Sequence, residues 1–283
     1  MKLVRFQFED ESRPGLVVGE GVIDLKAQPE GFATIMEIVV GGARALARLS
    51  ALNNAPPAHR LADLKLLAPI ERPGKYLAIG MNYKKHLEEA QSIGVPAPKQ
   101  QLWFNKQTSC LSGPYDDIDP GVTEQLDYEV ELGVVIGVPA KGIAAKTARD
   151  HIFGYFVAND VSARDWQFHS PTFTMGKSFD THGPIGPWIV TADEVPDPQQ
   201  LELRCLVNGE VRQAANTRDM IHSIAAQIEY LSTAFTLESG DLIATGTPEG
   251  VGVGRKPPLF LQRGDRVRCE INGIGAIENR VKR

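Results

Sequence analysis

A chain of 283 residues with 42% hydrophobic and 23% charged side chains can bury a large core, and at about 150 residues per domain it predicts one domain with an appendage or two unequal ones. No apolar run approaches the roughly 18 residues of a membrane span, and a formal charge of −5 without blocks of like charge offers no footprint for nucleic acid, so neither partner is expected. Cys110, Cys205 and Cys269 form no CxxC pair, which argues against a zinc ribbon or a disulfide framework and fits a reduced, cytoplasmic location.

Residues 1–10 turn acidic before an apolar signal region can form and read as a first strand. With 27 glycines and 19 prolines, the chain is expected to form many short elements and a strand-rich fold. Two apolar runs, 15–19 and 21–25, flank Glu20 as a hairpin. Helical spacing follows over 33–52, with Ile35, Ile38, Val39, Ala43, Leu46 and Leu49 on one side, and stops at Asn53-Asn54-Ala55-Pro56-Pro57. A linker-like stretch, 59–74, leads to an apolar strand at 76–79. This organisation predicts a small N-terminal domain at 1–65 and a main domain at 66–283. Strands are expected in the latter at 126–137, 153–157, 188–190, 201–207, 241–245 and 265–271, with helices at 83–91 and 223–234. Many strands with few helices predict a rolled or sandwiched α+β fold rather than a doubly wound sheet.

Leu126-Asp127-Tyr128-Glu129-Val130-Glu131-Leu132 is the most informative segment. Read as one strand, period-two alternation sends Asp127, Glu129 and Glu131 to one face, a pattern that a solvated strand face would also carry. Asp160 stands at the end of another strand, where it either caps the next turn or joins a site. Carboxylates brought together repel one another unless a cation compensates, so a cluster of Glu129, Glu131 and Asp160 calls for a divalent metal, and all-oxygen ligation points to Mg2+ or Mn2+. Arg164, Gln167 and Lys177 are either surface residues or the cation and amide donors that hold an anionic substrate beside that metal.

The glycine-rich turn 240–254 lacks both the phosphate-loop ending and the GxGxxG order, which leaves Thr245 and Thr247 as close-approach contacts for a small ligand or as part of a plain turn. On the helix at 83–91, positions three apart are neighbours, so Glu89 rather than Glu88 can orient His86; a surface ion pair gives the same spacing. No GxSxG elbow is present, and water activation would fall to histidine or metal.

Five ordered motifs over about 70–280 resemble the fumarylacetoacetate hydrolase superfamily, in the branch of the domain-containing proteins, acylpyruvate hydrolases and related isomerases and decarboxylases. They are Ile79-Gly80-Met81-Asn82-Tyr83 with His86, the Asp127-to-Leu132 segment, Asn159-Asp160-Val161-Ser162-Ala163-Arg164-Asp165, Gly176-Lys177-Ser178-Phe179-Asp180 and Thr245-Gly246-Thr247-Pro248. The resemblance implies a mixed β-sandwich roll with a small N-terminal α+β extension, a homodimer, and Mg2+ or Mn2+ on Glu129, Glu131 and Asp160. It also implies Lys177 and Gln167 as substrate contacts and His86 with Glu89 as a base pair on a lid. One position departs: members that cleave fumarylacetoacetate carry a further metal-ligating aspartate upstream, and none stands near Asn82-Tyr83-Lys84-Lys85.

The expected activity is hydrolysis of a C–C bond in acylpyruvate-type or 2,4-diketo acids through a metal-bound pyruvate enolate, with His86 as base, Glu89 orienting it and Lys177 meeting the developing charge. The same site would serve an oxaloacetate decarboxylase or a 2-hydroxy-dienoate isomerase. A Schiff-base lyase through Lys177 and a non-catalytic metal or oxo-acid binding module are the remaining alternatives.

Overall fold

Runs rich in β-branched and aromatic residues draw most of the chain into one long sheet, seen in a computed structural model that describes residues 1–29, 31–52 and 55–283. Among these residues the sheet has 12 strands. Its path runs from His59–Arg60 through Gly21–Asp24, Glu11–Val18 and Lys2–Phe8 into Gly183–Thr191. It continues through Ile152–Asn159, Val130–Ile136, Leu242–Ala244 and Tyr76–Gly80 to Leu102–Lys106 at the far edge. A second sheet of four strands, Glu210–Asn216, Glu202–Val207, Arg266–Ile271 and Gly275–Arg280, packs against one face of the first. The result is the strand-rich α+β roll that the strand spacing predicts.

Both faces of the long sheet are covered. On one, Val130, Leu132, Val134, Tyr155 and Val157 share a core with Leu203, Val267 and Ile277 of the small sheet and with Ile224, Ile228 and Leu231 of the helix Ile224–Ala234. On the other, Val135, Phe156, Ile189 and Leu3 share a core with Ile35, Ile38, Val39 and Leu49 of the helix Ile35–Leu52. This is why Val130–Ile136 is buried along its whole length instead of presenting one wet face. Gly133 is required within it, because a Cβ there would lie 2.2 Å from the Phe156 ring.

Several expectations change in the structure. The anticipated strand over 126–137 is two elements: Leu126–Asp127 pairs with Ser162–Ala163, and Val130–Ile136 begins afresh in the long sheet. Asp127 therefore does not share a face with Glu129 and Glu131. The stretch 59–74 is no linker, since His59–Arg60 pairs with Gly21–Asp24 and Lys65–Leu67 pairs with Lys2–Phe8. Burial of Leu66 opposite Phe6 supplies the reason. Gly42, at φ 51°, breaks the phase of the helix Ile35–Leu52, so Ala45 rather than Ala43 turns inward. The expected stop at Asn53-Asn54 lies outside the described residues. The N-terminal strands reach the main sheet directly, through Leu3 opposite Ile189. Among the described residues no helix is long and apolar enough to cross a membrane.

Candidate active site

Three strand ends and three helices, Lys84–Ser92, Arg164–Gln167 and Thr174–Lys177, deliver the site. Asp160 follows Ile152–Asn159, Glu131 lies in its neighbour Val130–Ile136, and Glu129 sits at the break just before that strand. The Asn159 amide oxygen accepts the Glu129 N–H at 3.0 Å, and the Asp160 N–H donates to the Glu129 carbonyl at 2.9 Å, which holds the two acids in register. Glu129, Glu131 and Asp160 each offer an oxygen within 4.8 Å of the others, and all three are buried. Glu131 Oε2 accepts the Gly246 N–H at 2.8 Å. Gly246 has φ 99°, and a Cβ there would lie 2.7 Å from Asn82 Cβ, so the motif needs glycine at this point.

Charge balance decides what this cluster can hold. Arg164 Nη2 lies 2.7 Å from Glu129 Oε1, and its Nε lies 2.8 Å from Asp127 Oδ2. Lys177 Nζ lies 2.8 Å from both Glu129 Oε2 and Asp160 Oδ2. Lys106 Nζ lies 2.6 Å from Asp160 Oδ1. Burial alone would push the Glu129 carboxyl up, but Lys177 and Arg164 pull it down to about 2. Among the described residues Glu131 has no ion pair: burial, then Asp160 and Glu129, push its carboxyl well above the usual carboxylate range, against the weaker pull of the Gly246 N–H and Lys177. Four buried carboxylates thus face three buried cations, and the uncompensated one belongs to the cluster. An all-oxygen set short of positive charge fits a hard divalent cation such as Mg2+ or Mn2+.

A cavity of about 90 Å3 opens beside this cluster, and its walls bring together His86, Glu89, Glu129, Arg164, Gln167, Lys177 and Thr247. His86 and Glu89 come from the helix Lys84–Ser92; His86 Nδ1 lies 3.0 Å from Glu89 Oε2, and Glu89 Oε1 accepts the Gly250 N–H at 3.0 Å. Gln167 Oε1 accepts from Arg164 Nη1 at 2.9 Å. The Thr247 hydroxyl donates to the Val130 carbonyl at 2.9 Å and accepts from Gln213 Nε2 at 2.8 Å. Thr245 is placed differently. Its hydroxyl donates to the Leu132 carbonyl at 2.8 Å, and it stands off the cavity wall. Met81 and Phe173, both on the wall, hold positive φ values of 54° and 59°, the backbone strain that non-glycine residues sustain where the surroundings dictate it.

Two functional neighbours escape a reading of the sequence alone. Lys106 has no motif around it; the available signal is its two-residue period with Leu102 and Phe104, which places a charge among inward residues. Asp127 stands inside a motif, yet its role comes from distant partners: besides Arg164 it accepts the N–H groups of Gly252 and Val253 at 2.7 and 3.0 Å.

Comparison with known proteins agrees with this architecture. Residues 75–282 match the family model for the fumarylacetoacetate (FAA) hydrolase C-terminal region. A mitochondrial oxaloacetate tautomerase of Bos taurus is 44% identical over 290 residues, covering 99% of this chain and 91% of its own. The crystal structure of maleylpyruvate hydrolase from Sphingobium sp. SYK-6 in complex with manganese (II) ion and pyruvate superposes with a TM-score of 0.83 at 32% identity, covering 100% of this chain and 99% of that one. A 2-hydroxyhepta-2,4-diene-1,7-dioate isomerase from Mycobacterium marinum superposes with a TM-score of 0.78 at 35% identity, covering 100% and 98%. Motif order, roll and full-length similarity together assign the chain to the fumarylacetoacetate hydrolase family.

Proposed function

We propose that the protein hydrolyses the C–C bond of acylpyruvate-type 2,4-diketo acids, with Mg2+ or Mn2+ as its resident ion. The observation that carries this reading is the composition of the cavity wall. Apart from the acid and base groups, Gln167 and Thr247, it is apolar, with Ile93, Val95, Leu102, Phe104, Phe168 and Phe173 among its members, and its two fixed cations, Arg164 and Lys177, are already committed to carboxylates. An uncharged acyl tail suits such a wall; a second carboxylate would lose its water there without a free partner.

A divalent cation on Glu129, Glu131 and Asp160 would supply Lewis-acid polarisation of the 2-oxo group. His86 takes a proton from water, whose oxygen adds to the distal carbonyl, and Glu89 holds the imidazole and offsets the charge it gains. The C–C bond then breaks with its electron pair moving toward the pyruvate half, and Lys177 Nζ, held on the cavity wall by Glu129 and Asp160, meets the negative charge on oxygen. The acyl half leaves as a carboxylic acid, and a returned proton completes pyruvate. An amine donating to two carboxylates offers no lone pair to a carbonyl, which weighs against the Schiff-base alternative.

Keto–enol tautomerisation of oxaloacetate is the second reading, favoured by the bovine relative named above. It needs the same base to take the proton from the enol oxygen and return it to carbon, and no water. Two assays with added Mn2+ separate the readings: pyruvate release from acylpyruvates of graded tail length, and loss of the oxaloacetate enol band. Pyruvate release at least 100-fold above the rate with oxaloacetate supports the hydrolase; enol loss without pyruvate release replaces it with the tautomerase. Inertness in both, with Mn2+ and a 2-oxo acid still bound, leaves the 2-hydroxy-dienoate isomerase and the binding module, which turnover of a dienoate separates. The homodimer, the cytoplasmic location and an N-terminal unit at 1–65 form part of the same proposal, the first open to sedimentation analysis.

A further inference from the structure

The site contains two buried lysines, and their surroundings differ. Lys177 lines the cavity and donates to Glu129 and Asp160; among the described residues it has no third hydrogen-bond acceptor, and its Nζ lies 5.2 Å from the Phe104 ring centroid. Lys106 is absent from the cavity wall, and its side chain is 0% exposed. It ends the edge strand Leu102–Lys106, opposite Tyr76, and all three of its ammonium protons have acceptors: Asp160 Oδ1 at 2.6 Å, the His182 carbonyl at 3.0 Å and the Lys177 carbonyl. One nitrogen therefore joins a candidate metal ligand, the main chain of the cavity lysine and the segment that enters Gly183–Thr191.

We propose that Lys106 is a positioning residue, which fixes the Asp160 carboxylate and the Lys177 main chain so that the cluster can accept a divalent cation while the Lys177 side chain faces substrate. The assignment rests on the metal reading above. Its reason is geometric: an ammonium with three acceptors on three separate segments has one orientation, and Asp160, gripped at Oδ1, is left with Oδ2 for shared use. Lys177, with two acceptors, the Phe104 ring beside it and the cavity in front, keeps freedom that Lys106 lacks. Groups that orient ligands in this way typically contribute 10- to 100-fold to metal affinity.

The sign of one measurement separates positioning from mere proximity. Lys106→Met removes a positive charge 2.6 Å from a ligand oxygen, and Coulomb attraction alone would then tighten binding of a divalent ion. Loss of positioning loosens it. Calorimetry with Mn2+ on folded Lys106→Met is expected to show Kd raised about tenfold or more. At saturating Mn2+, kcat should fall while KM for the 2-oxo acid changes less than about threefold, because Lys177 loses its main-chain anchor but keeps its side chain. Lys75→Met, which breaks the 2.7 Å pair with Asp241 away from the cavity, should leave Mn2+ affinity unchanged.

An unchanged or lowered Kd in folded Lys106→Met overturns the assignment alone; wild-type protein that binds no Mn2+ overturns the metal reading and the assignment with it. Should Lys106→Met fail to fold, wild-type protein labelled at lysine nitrogen provides the decision by NMR. The Lys106 ammonium protons should be protected from solvent exchange with and without Mg2+, and exchange as fast as that of Lys177 would overturn the proposal.

Discussion

His86 Nδ1 and Glu89 Oε2 stand 3.0 Å apart, one helical turn from each other on the same cavity wall that carries Glu129. Glu89 is held a second time by the Gly250 N–H, so the imidazole is oriented from a fixed carboxylate. His86→Ala should lower turnover by about 10²-fold or more while Mn2+ affinity, read by calorimetry, stays within a few-fold. Glu89→Ala should cost less, since an unoriented imidazole is still a base, and Glu88→Ala should be nearly silent in the same kinetic assay.

Gly254 offers an independent handle on the same pair. A Cβ added there would lie 2.4 Å from Glu89 Cδ, so the carboxylate must leave its bonds to His86 and the Gly250 N–H to make room. Gly254→Ala is therefore expected to fold and to reproduce the kinetic loss of Glu89→Ala, because both variants lose the same two bonds. Unchanged turnover in this variant would mean that the position of Glu89 does not matter to the reaction.

Removal of metal should be visible in stability as well as in rate. Protein treated with EDTA should lose activity, and Mn2+ or Mg2+ should restore it better than zinc. Because the ion would bind the folded cluster and not the unfolded chain, metal at 100 times its Kd should add about 2.7 kcal/mol to stability, read as a rise in Tm. Glu131→Ala should abolish that rise, having removed the one acid of the three that makes no ion pair among the described residues.

Asp127→Ala tests the acid that leaves the cluster. The Asp127 carboxylate holds Arg164 Nε at 2.8 Å in a fully buried position, and its loss leaves that buried N–H without its acceptor and the guanidinium with Glu129 as its remaining ion-pair partner. Denaturant melts should show a loss of about 3–5 kcal/mol, the usual result of breaking one half of a buried pair. Turnover should fall with it, because Arg164 then lacks the anchor that sets its reach to Glu129 and Gln167.

Acid sensitivity is expected from His182. Burial, then the Lys106 ammonium, push its imidazole down to about 4, while its Nε2–H donates to the Asp119 carbonyl at 3.0 Å. A group whose folded pKa is depressed below an ordinary 6.5 contributes fully above that value and loses its contribution as pH falls toward 4. Stability should drop by about 3 kcal/mol across that window, in the linkage sense of 1.36 kcal/mol per pKa unit. His182→Gln should flatten the profile measured by urea melts at pH 7, 5.5 and 4.5.

What the sequence determines here is local. Period-two apolar runs announce most of the strands, three-residue spacing pairs His86 with Glu89, and the placement of Asp160 at a strand end singles it out among 35 acids. The order of the motifs is enough to indicate the roll. The same periodicity misreads residues 126–137 as one strand, because it carries no information about where the backbone changes partners: Leu126–Asp127 goes to Ser162–Ala163 and the rest to the long sheet.

Tertiary structure alone decides the electrostatics. Lys106 meets Asp160 across 54 residues, Arg164 meets Glu129 across 35, and Gly246 meets Glu131 across 115. Whether an acid is compensated depends on such meetings: Glu129 gains two cations and sits at about 2, while Glu131, two residues on, gains one backbone N–H and is driven the other way. A local pattern can place a carboxylate on a strand, but its charge state belongs to the low-dielectric neighbourhood that folding assembles around it, and that neighbourhood is built from segments with no spacing rule between them.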